Sequence, residues 1–411
     1  MTDFAPGWRL PIDYTHRLCA SAGALTFVGG TGDFDANGRI RNPGTLDAQI
    51  GGALENLEAS LQSETCGLDD VVRLKAYYQS NGDVDEWQVL AKLANQFGQQ
   101  PAPVISVLPV LMQPFEGQKI QLQAIAQRHW RSLEDIRAQT VAVPAAHRAS
   151  FDNDELTRGL RAGELIVTQS RTAADGDDNI SDPEDGIAQT RTVMDSLRST
   201  LETLGASFQD AVKKEGYYFG TTREQWAGMA AQRAAYFKEP GPVATVVPCQ
   251  VLWPDAAQTK IEVIAMRQTR GGFDKYVPRE DSWPERVWDW PIPLPYRQGS
   301  RLRDLIWLGG QVPSEPFNNA RGRVHAGQRA AQTSLTMSYI EDLLRVFNRS
   351  PADLKIAICH FQSNGTEAST LEFVRTLQDC MGGALPPLTL VPQPQMHTVE
   401  NTVEIWGVAA G

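Results

Sequence analysis

The sequence predicts an α+β protein built from three tandem units, each a small sheet covered by two helices. Three observations predict it. The segments 103–109 (PVISVLP), 242–248 (PVATVVP) and 386–392 (PPLTLVP) are near copies of one another. Leu57 and Leu61 recur as Leu197 and Leu201 at an offset of 140 residues, and as Ile340 and Leu344 at a further 143; Asp70, Asp210 and Asp353 keep both spacings. A period this long exceeds the roughly 20–50 residues of solenoid repeats, so each unit is domain-sized. The length of 411 residues fits three such units. We expect them at residues 1–130, 131–268 and 269–411, the third opening with a Trp/Pro-rich linker.

The elements follow in order. Residues 24–30 (ALTFVGG) read as a strand ending in glycines, and Asp35–Arg39 as a tight turn whose Asn37-Gly38 tolerates positive φ. Thr45 is placed as the N-cap of a helix with Leu46, Ile50, Leu54, Leu57 and Leu61 on its core face, stopped by Cys66-Gly67. A strand over 71–78, a helix over 86–97, the 103–109 strand and an alternating strand over 119–126 complete the unit. Unit two repeats this with strand 165–168, a helix entered at Asp182-Pro183-Glu184, strand 211–219, helix 224–237 and strands 245–251 and 260–266. Unit three repeats it with strand 305–309, helix 325–347, strand 354–361, helix 367–381 and strands 388–391 and 402–408. Linkers are expected near 129–147 and 268–294; the second, with Trp283, Trp288, Trp290, Pro293 and Pro295, is expected to pack across a neighbouring unit.

Composition narrows the function. With 42% hydrophobic and 21% charged residues the chain has ordinary globular composition. Five cysteines without a CxxC pair fit reduced thiols rather than a disulfide framework. A net charge of −11 opposes broad contact with a phosphate backbone, so nucleic acid is not an expected partner. No signal-peptide pattern and no run of about 18 apolar residues is present, which points to a cytoplasmic protein without a membrane partner. No HxH, HExxH or CxxC spacing suggests a metal, and 29–32 (GGTG) lacks the Lys-Ser/Thr of a phosphate loop, so no cofactor is expected.

The segments 295–299 (PYRQG), 306–313 (IWLGGQVP) and 403–409 (VEIWGVA) resemble the Rid (YjgF-like) family, whose counterparts are Pro-Tyr-x-Gln-Gly, Ser-Gly-Gln-Ile-Pro and Ile-Glu-Ile-Glu-Ala-Ile-Ala. The resemblance covers nearly the whole chain three times. It implies chorismate-mutase-like α+β units arranged as an intramolecular pseudo-trimer around a central barrel of sheets, with ligand clefts between adjacent units. It also implies hydrolysis of reactive enamines and imines, with an arginine holding the substrate carboxylate. At that arginine's position stand Ile105, Ala244 and Leu388, which implies a substrate without the usual carboxylate.

The same resemblance supplies the candidate site. The hydroxyl after the arginine falls on Ser106, Thr245 and Thr389, and the acidic residue on Gln121, Lys260 and Glu404. The tyrosine falls on His16, Leu156 and Tyr296. The Ser-Gly-Gln turn falls on 29–31, on 169–171, which ends in Arg171, and on Gly309, Gly310 and Gln311. Glu404 is thus the candidate acid/base, with Tyr296 and the Gly310 amide orienting a substrate oxygen and His16 a proton shuttle. Arg171 is a candidate carboxylate clamp from another wall. Cys249 and Cys359 read as small buried hydrophobes.

The expected function is a cofactor-independent hydrolase or deaminase acting on a C=N or C–N bond of a small nitrogen-containing molecule. The alternatives are a non-catalytic binding or regulatory protein, a chorismatase-like lyase, and a cyclic-amide hydrolase of the Ser-Lys type, for which Lys260 near Thr245 is the only sign. A monomer or homodimer is expected.

Overall fold

The computed structural model describes residues 15–16, 18–220, 222–268, 276–316 and 323–411. The first sheet contains β2 (Cys19–Ala22), β3 (Leu25–Thr31), β4 (Val71–Gln79), β5 (Val104–Val110) and β6 (Ile120–Gln127), in the order β2-β3-β6-β4-β5. It carries α1 (Leu46–Ser63) and α2 (Glu86–Ala94). β4 and β5 run parallel because α2 crosses between them, and the remaining pairs are antiparallel. The second sheet holds β7 (Ile136–Ala142), β8 (Glu155–Ala162), β9 (Leu165–Thr168), β10 (Ala211–Phe219), β11 (Val243–Cys249) and β12 (Thr259–Met266), with α3 (Gly186–Thr203) and α4 (Arg223–Ala234). The third holds β13 (Arg279–Ser282), β14 (Gly299–Leu302), β15 (Leu305–Leu308), β16 (Leu354–Gln362), β18 (Leu388–Gln393) and β19 (Val403–Ala410), with α5 (Arg329–Arg345) and α6 (Glu367–Cys380). β1 (Thr15–His16) pairs in parallel with β17 (Ala384–Leu385), tying the start of the chain to the third unit.

The three-unit α+β reading therefore holds, and the differences from the sequence reading are local. The expected first linker contains β7, an edge strand antiparallel to β8, and the second contains β13, paired with β14. α3 starts at Gly186 rather than at 182–184, because the Asp185 carboxylate accepts from the amides of Ile187 and Ala188 at 2.9 Å and caps the helix there. α5 starts at Arg329 rather than at 325, because His325 and Gly327 have φ of 55° and 69°, outside the helical region. Asp35 closes the expected turn by accepting from the amides of Asn37 and Arg39, with Gly38 at φ 78°. Trp290, Ile292, Leu294 and Tyr296 pack on the core of the second unit, as expected of that linker.

Each sheet touches the other two: β5 meets β8, β10 and β11 meet β15, and β16 and β18 meet β3. The faces turned inward form one apolar cluster drawn from all three units, including Phe27, Val72, Leu160, Val212, Trp307 and Ile358. Charges are buried within it. Arg73 Nη2 lies 2.9 Å from Glu215 Oε1 and 3.0 Å from Glu262 Oε2, while Lys75 Nζ lies 2.9 Å from Glu215 Oε2 and also bonds Glu262. By the repeat offset the third unit supplies Ile356 and Ile358 where the first has Arg73 and Lys75.

One turn further along the same strands, Tyr77, Tyr217 and His360 meet: the two hydroxyls are 3.4 Å apart and the Tyr217 and His360 rings 6.0 Å apart. Burial, reinforced by the Lys75 charge, pushes the His360 pKa down to about 3. An unfolded histidine titrates near 6.5. Between those values only the unfolded chain takes the proton, so stability falls as pH drops from about 6.5 toward 3. His360→Gln is therefore expected to remove about 3 kcal/mol of the destabilisation between pH 7.5 and 4.5. Urea midpoints at the two pH values check this, and equal acid sensitivity in both proteins would assign the effect to another group.

Candidate active site between the second and third units

The junction of the second and third units holds a cavity of about 160 Å³. Its walls come from β10 and β11 (Tyr218, Ala244, Val246), from α4 (Trp226, Ala230, Arg233) and from the linker (Trp288, Trp290, Tyr296). The third unit adds Arg323, His397, Thr398 and Glu404.

Glu404 sits in β19, nearly fully buried. Its Oε2 lies 2.6 Å from His397 Nε2, and His397 Nδ1 lies 3.2 Å from the Tyr218 hydroxyl. With the Tyr218 hydroxyl as donor, His397 Nδ1 accepts from it and Nε2–H donates to Glu404 Oε2. Burial and the Glu404 charge both push the Tyr218 phenol up, so it stays protonated and remains a donor. The result is a carboxylate–imidazole–phenol chain that spans two units.

Gly310 is where it must be for this arrangement. A Cβ there would stand 1.9 Å from Glu404 Oε1, so only glycine leaves room for the carboxylate. Its amide does not serve as the expected donor to substrate, because it already donates to the Ala244 carbonyl at 2.9 Å. Gly309 packs against the carbonyls of Ala244, Arg297 and Gln298. Gln311 braces the wall: Nε2 donates to Gln298 Oε1 and the Gly309 carbonyl, and Oε1 accepts from Trp288 Nε1 at 3.0 Å.

The same cavity gathers donors that meet few acceptors among the described residues. Arg233 is fully buried and meets no carboxylate among the described residues; its guanidinium stands against the Tyr296 hydroxyl, and among the same residues Trp290 Nε1 and Thr398 Oγ1 have no hydrogen-bond partner. Burial raises the Tyr296 pKa to about 12 against the Arg233 charge. Behind them Lys214 Nζ, buried and without a hydrogen-bond partner, lies 5.0 Å from the Tyr296 ring centroid. Buried polar groups are nearly always satisfied, so unmet donors in one cavity call for an acceptor. The buried cation of this cavity, Arg233, comes from α4.

The other sequence candidates lie elsewhere. Arg171 lines a separate cavity at the junction of the first and second units. There the counterpart of Glu404, Lys260, is tied to Glu86 at 2.5 Å. Ser106 Oγ accepts from the Ser170 amide at 2.8 Å. Thr245 Oγ1 is bonded by Lys213 Nζ at 2.5 Å, so Lys260 is not its partner; burial lowers Lys213 to about 7, and neither Thr245 nor Lys213 lines the cavities at the two junctions. Thr389 Oγ1 is buried and unpartnered. At the junction of the third and first units, Gln121 donates to the Leu390 carbonyl at 2.6 Å, and Gly29 lies against the Leu388 backbone. The backbone of His16 pairs with Leu385, and its side chain lies outside the described residues. Cys249 and Cys359 are buried, which pushes both thiols up.

Sequence reasoning missed Tyr218, His397, Arg233 and Arg323. A signal for Arg233 was present, since it interrupts the apolar face of Trp226, Ala230 and Phe237 at helical spacing.

Residues 153–267 match the family model described as Endoribonuclease L-PSP. Among solved structures, a chorismatase is similar over 83% of this chain and 93% of its own, at 12% identity and TM-score 0.51, which shows a shared fold. Rv2704 of Mycobacterium tuberculosis, a YjgF/YER057c/UK114 family member, is 24% identical over 32% of this chain and 99% of its own, with TM-score 0.25. E. coli TdcF with bound serine is 17% identical over 32% and 98%, with TM-score 0.27. Residues 153–267 thus match the L-PSP (YjgF/Rid) family model, and the three tandem α+β units share their fold with the chorismatase.

Proposed function

We propose that the chain is a cofactor-independent hydrolase for a small carboxylate-bearing molecule, cleaving a C=N or C–N bond in the cavity between the second and third units. One observation carries this reading: the Glu404–His397–Tyr218 chain shares its cavity with the buried Arg233 guanidinium, which meets no carboxylate among the described residues. Arg233 supplies a planar cation for a carboxylate, which the loss of arginine at position 244 had seemed to remove. Trp226, Trp288 and Trp290 offer flat apolar walls for the rest of the molecule.

For an imine, water adds to the carbon of C=N while the Glu404–His397 pair takes its proton. The nitrogen receives a proton from the same chain, the C–N bond of the carbinolamine breaks, and a carbonyl and ammonia or an amine leave. The atoms balance without a further reactant. RNA cleavage is not our reading, since a cavity of about 160 Å³ in a chain of net charge −11 suits a small molecule. The chorismatase fold supports a second reading, a lyase that breaks a C–O bond in the same cavity.

The test is product release from freshly generated imines of 2-oxo acids, with amides and chorismate in the same panel. Ammonia from the imines supports the first reading, release from chorismate alone moves the assignment to the second, and no release from any member sinks both. Arg233→Met is expected to raise KM by about 100-fold, as loss of a charge-assisted bidentate contact would. The same variant should be as stable as the parent or more so without substrate, because an unpaired buried cation is removed. Unchanged KM would place the carboxylate elsewhere.

A further inference from the structure

We propose that the junction of the first and second units is a second binding site, which takes a small oxyanion, carboxylate or phosphate, between Arg158 and Arg171. The cavity there is about 70 Å³ and shares no lining residue with the candidate active site. Arg158 enters from β8, and Arg171 from the segment bridged to Ile261 of β12. Both are partly buried and both line the cavity.

Neither arginine has an acid to answer it among the described residues. Burial alone pushes Arg158 down; burial and then the charge of Arg158 push Arg171 to about 9, and no carboxylate raises either. The three acids that line the cavity are engaged, Asp175 by the amides of Asp177 and Asn179 at 2.9 Å. Glu86 holds Lys260 at 2.5 Å and accepts from the Tyr78 hydroxyl at 3.3 Å. Asp178 accepts from the indole nitrogens of Trp87 and Trp253 at 3.0–3.2 Å. Two guanidinium groups drawn together out of water raise each other's energy unless an anion stands between them.

Other groups also ask for an acceptor. Arg158 Nε is buried without a partner, and so is the hydroxyl of Ser170, which lines the same cavity. Ser170 stands where the first and third units have Gly30 and Gly310. A carboxylate or phosphate oxygen can accept from both guanidinium forks and the hydroxyl, which matches the bidentate geometry arginine favours. The small volume admits an anion of a few heavy atoms rather than a nucleotide.

Calorimetric titration of the full chain with inorganic phosphate, and separately with malonate, at low ionic strength tests the site. Binding of at least one probe is expected, kept in Arg233→Met and weakened at least tenfold in Arg158→Gln/Arg171→Gln. Tighter malonate would identify a carboxylate ligand, and tighter phosphate a phosphate. The bound probe should raise the urea midpoint of the parent but not of the double variant. Should the double glutamine variant fail to fold, Arg158→Lys/Arg171→Lys, which keeps the charge but loses the fork, should bind several-fold more weakly than the parent. No binding to the parent, binding lost in Arg233→Met alone, or unweakened binding in the arginine variants overturns the proposal.

Discussion

Replacing Glu404 with glutamine should slow turnover by about 10²–10⁴-fold, the range of a lost general acid–base group. The substitution is nearly isosteric, so the clearance over Gly310 and the contact with His397 are kept while the charge is lost. A neutral amide can still accept from His397 Nε2–H, but it cannot take up a proton, so the pair loses the carboxylate that receives the proton of the attacking water. On the proposed reading the substrate carboxylate is held by Arg233 and not by Glu404, so kcat should fall and KM should stay within a few-fold. Gly310→Ala should reproduce part of the loss from the other side, since its methyl would displace Glu404 Oε1. The measurement is kcat and KM of both variants on the best substrate, beside their urea midpoints. Turnover within tenfold of the parent in Glu404→Gln would remove Glu404 from the proton path.

The largest effect on stability is expected from Glu215→Gln. Glu215 and Glu262 together neutralise Arg73 and Lys75 in the shared interior, where all four side chains are at most 2% exposed. Burial raises the Glu215 carboxyl, but Lys75 and then Arg73 outweigh it and hold it at about 2. Removing one carboxylate leaves two cations sharing Glu262, and breaking a buried ion pair in this way costs about 3–5 kcal/mol. Lys75→Met added to Glu215→Gln should recover part of that loss, because the excess charge is gone. Denaturant unfolding of the parent, both single variants and the double variant checks this. Full additivity of the two single losses would mean that Glu215 and Lys75 do not stabilise one another.

Much of the fold was legible because repetition amplifies weak signals. The stripe Ile50, Leu54, Leu57, Leu61 is an ordinary amphipathic pattern, but its return at Leu197, Leu201 and Ile340, Leu344 identified the same helix three times. Element ends were less legible, since α5 begins where two positive φ angles stop rather than where the apolar pattern starts. Glu404 and Tyr296, both singled out in the sequence, line the same cavity, and Gly310 packs on Glu404. Sequence reasoning misjudged the donor role of the Gly310 amide, whose partner, the Ala244 carbonyl, lies in a different unit.

Within the chain, local pattern determined what each unit is: hydrophobic period, capping residues and turn glycines act over a few residues and need no partner. Tertiary structure decided which clefts hold chemistry. The proton chain joins Tyr218 to residues 179 and 186 positions later, and the buried cation in the same cavity comes from a helix of the second unit. Such contacts depend on how three folded units close on one another. Divergence at corresponding positions (Gln121, Lys260 and Glu404) then leaves one junction filled, one with two arginines that no carboxylate pairs among the described residues, and one with a carboxylate and the buried Arg233 in the same cavity.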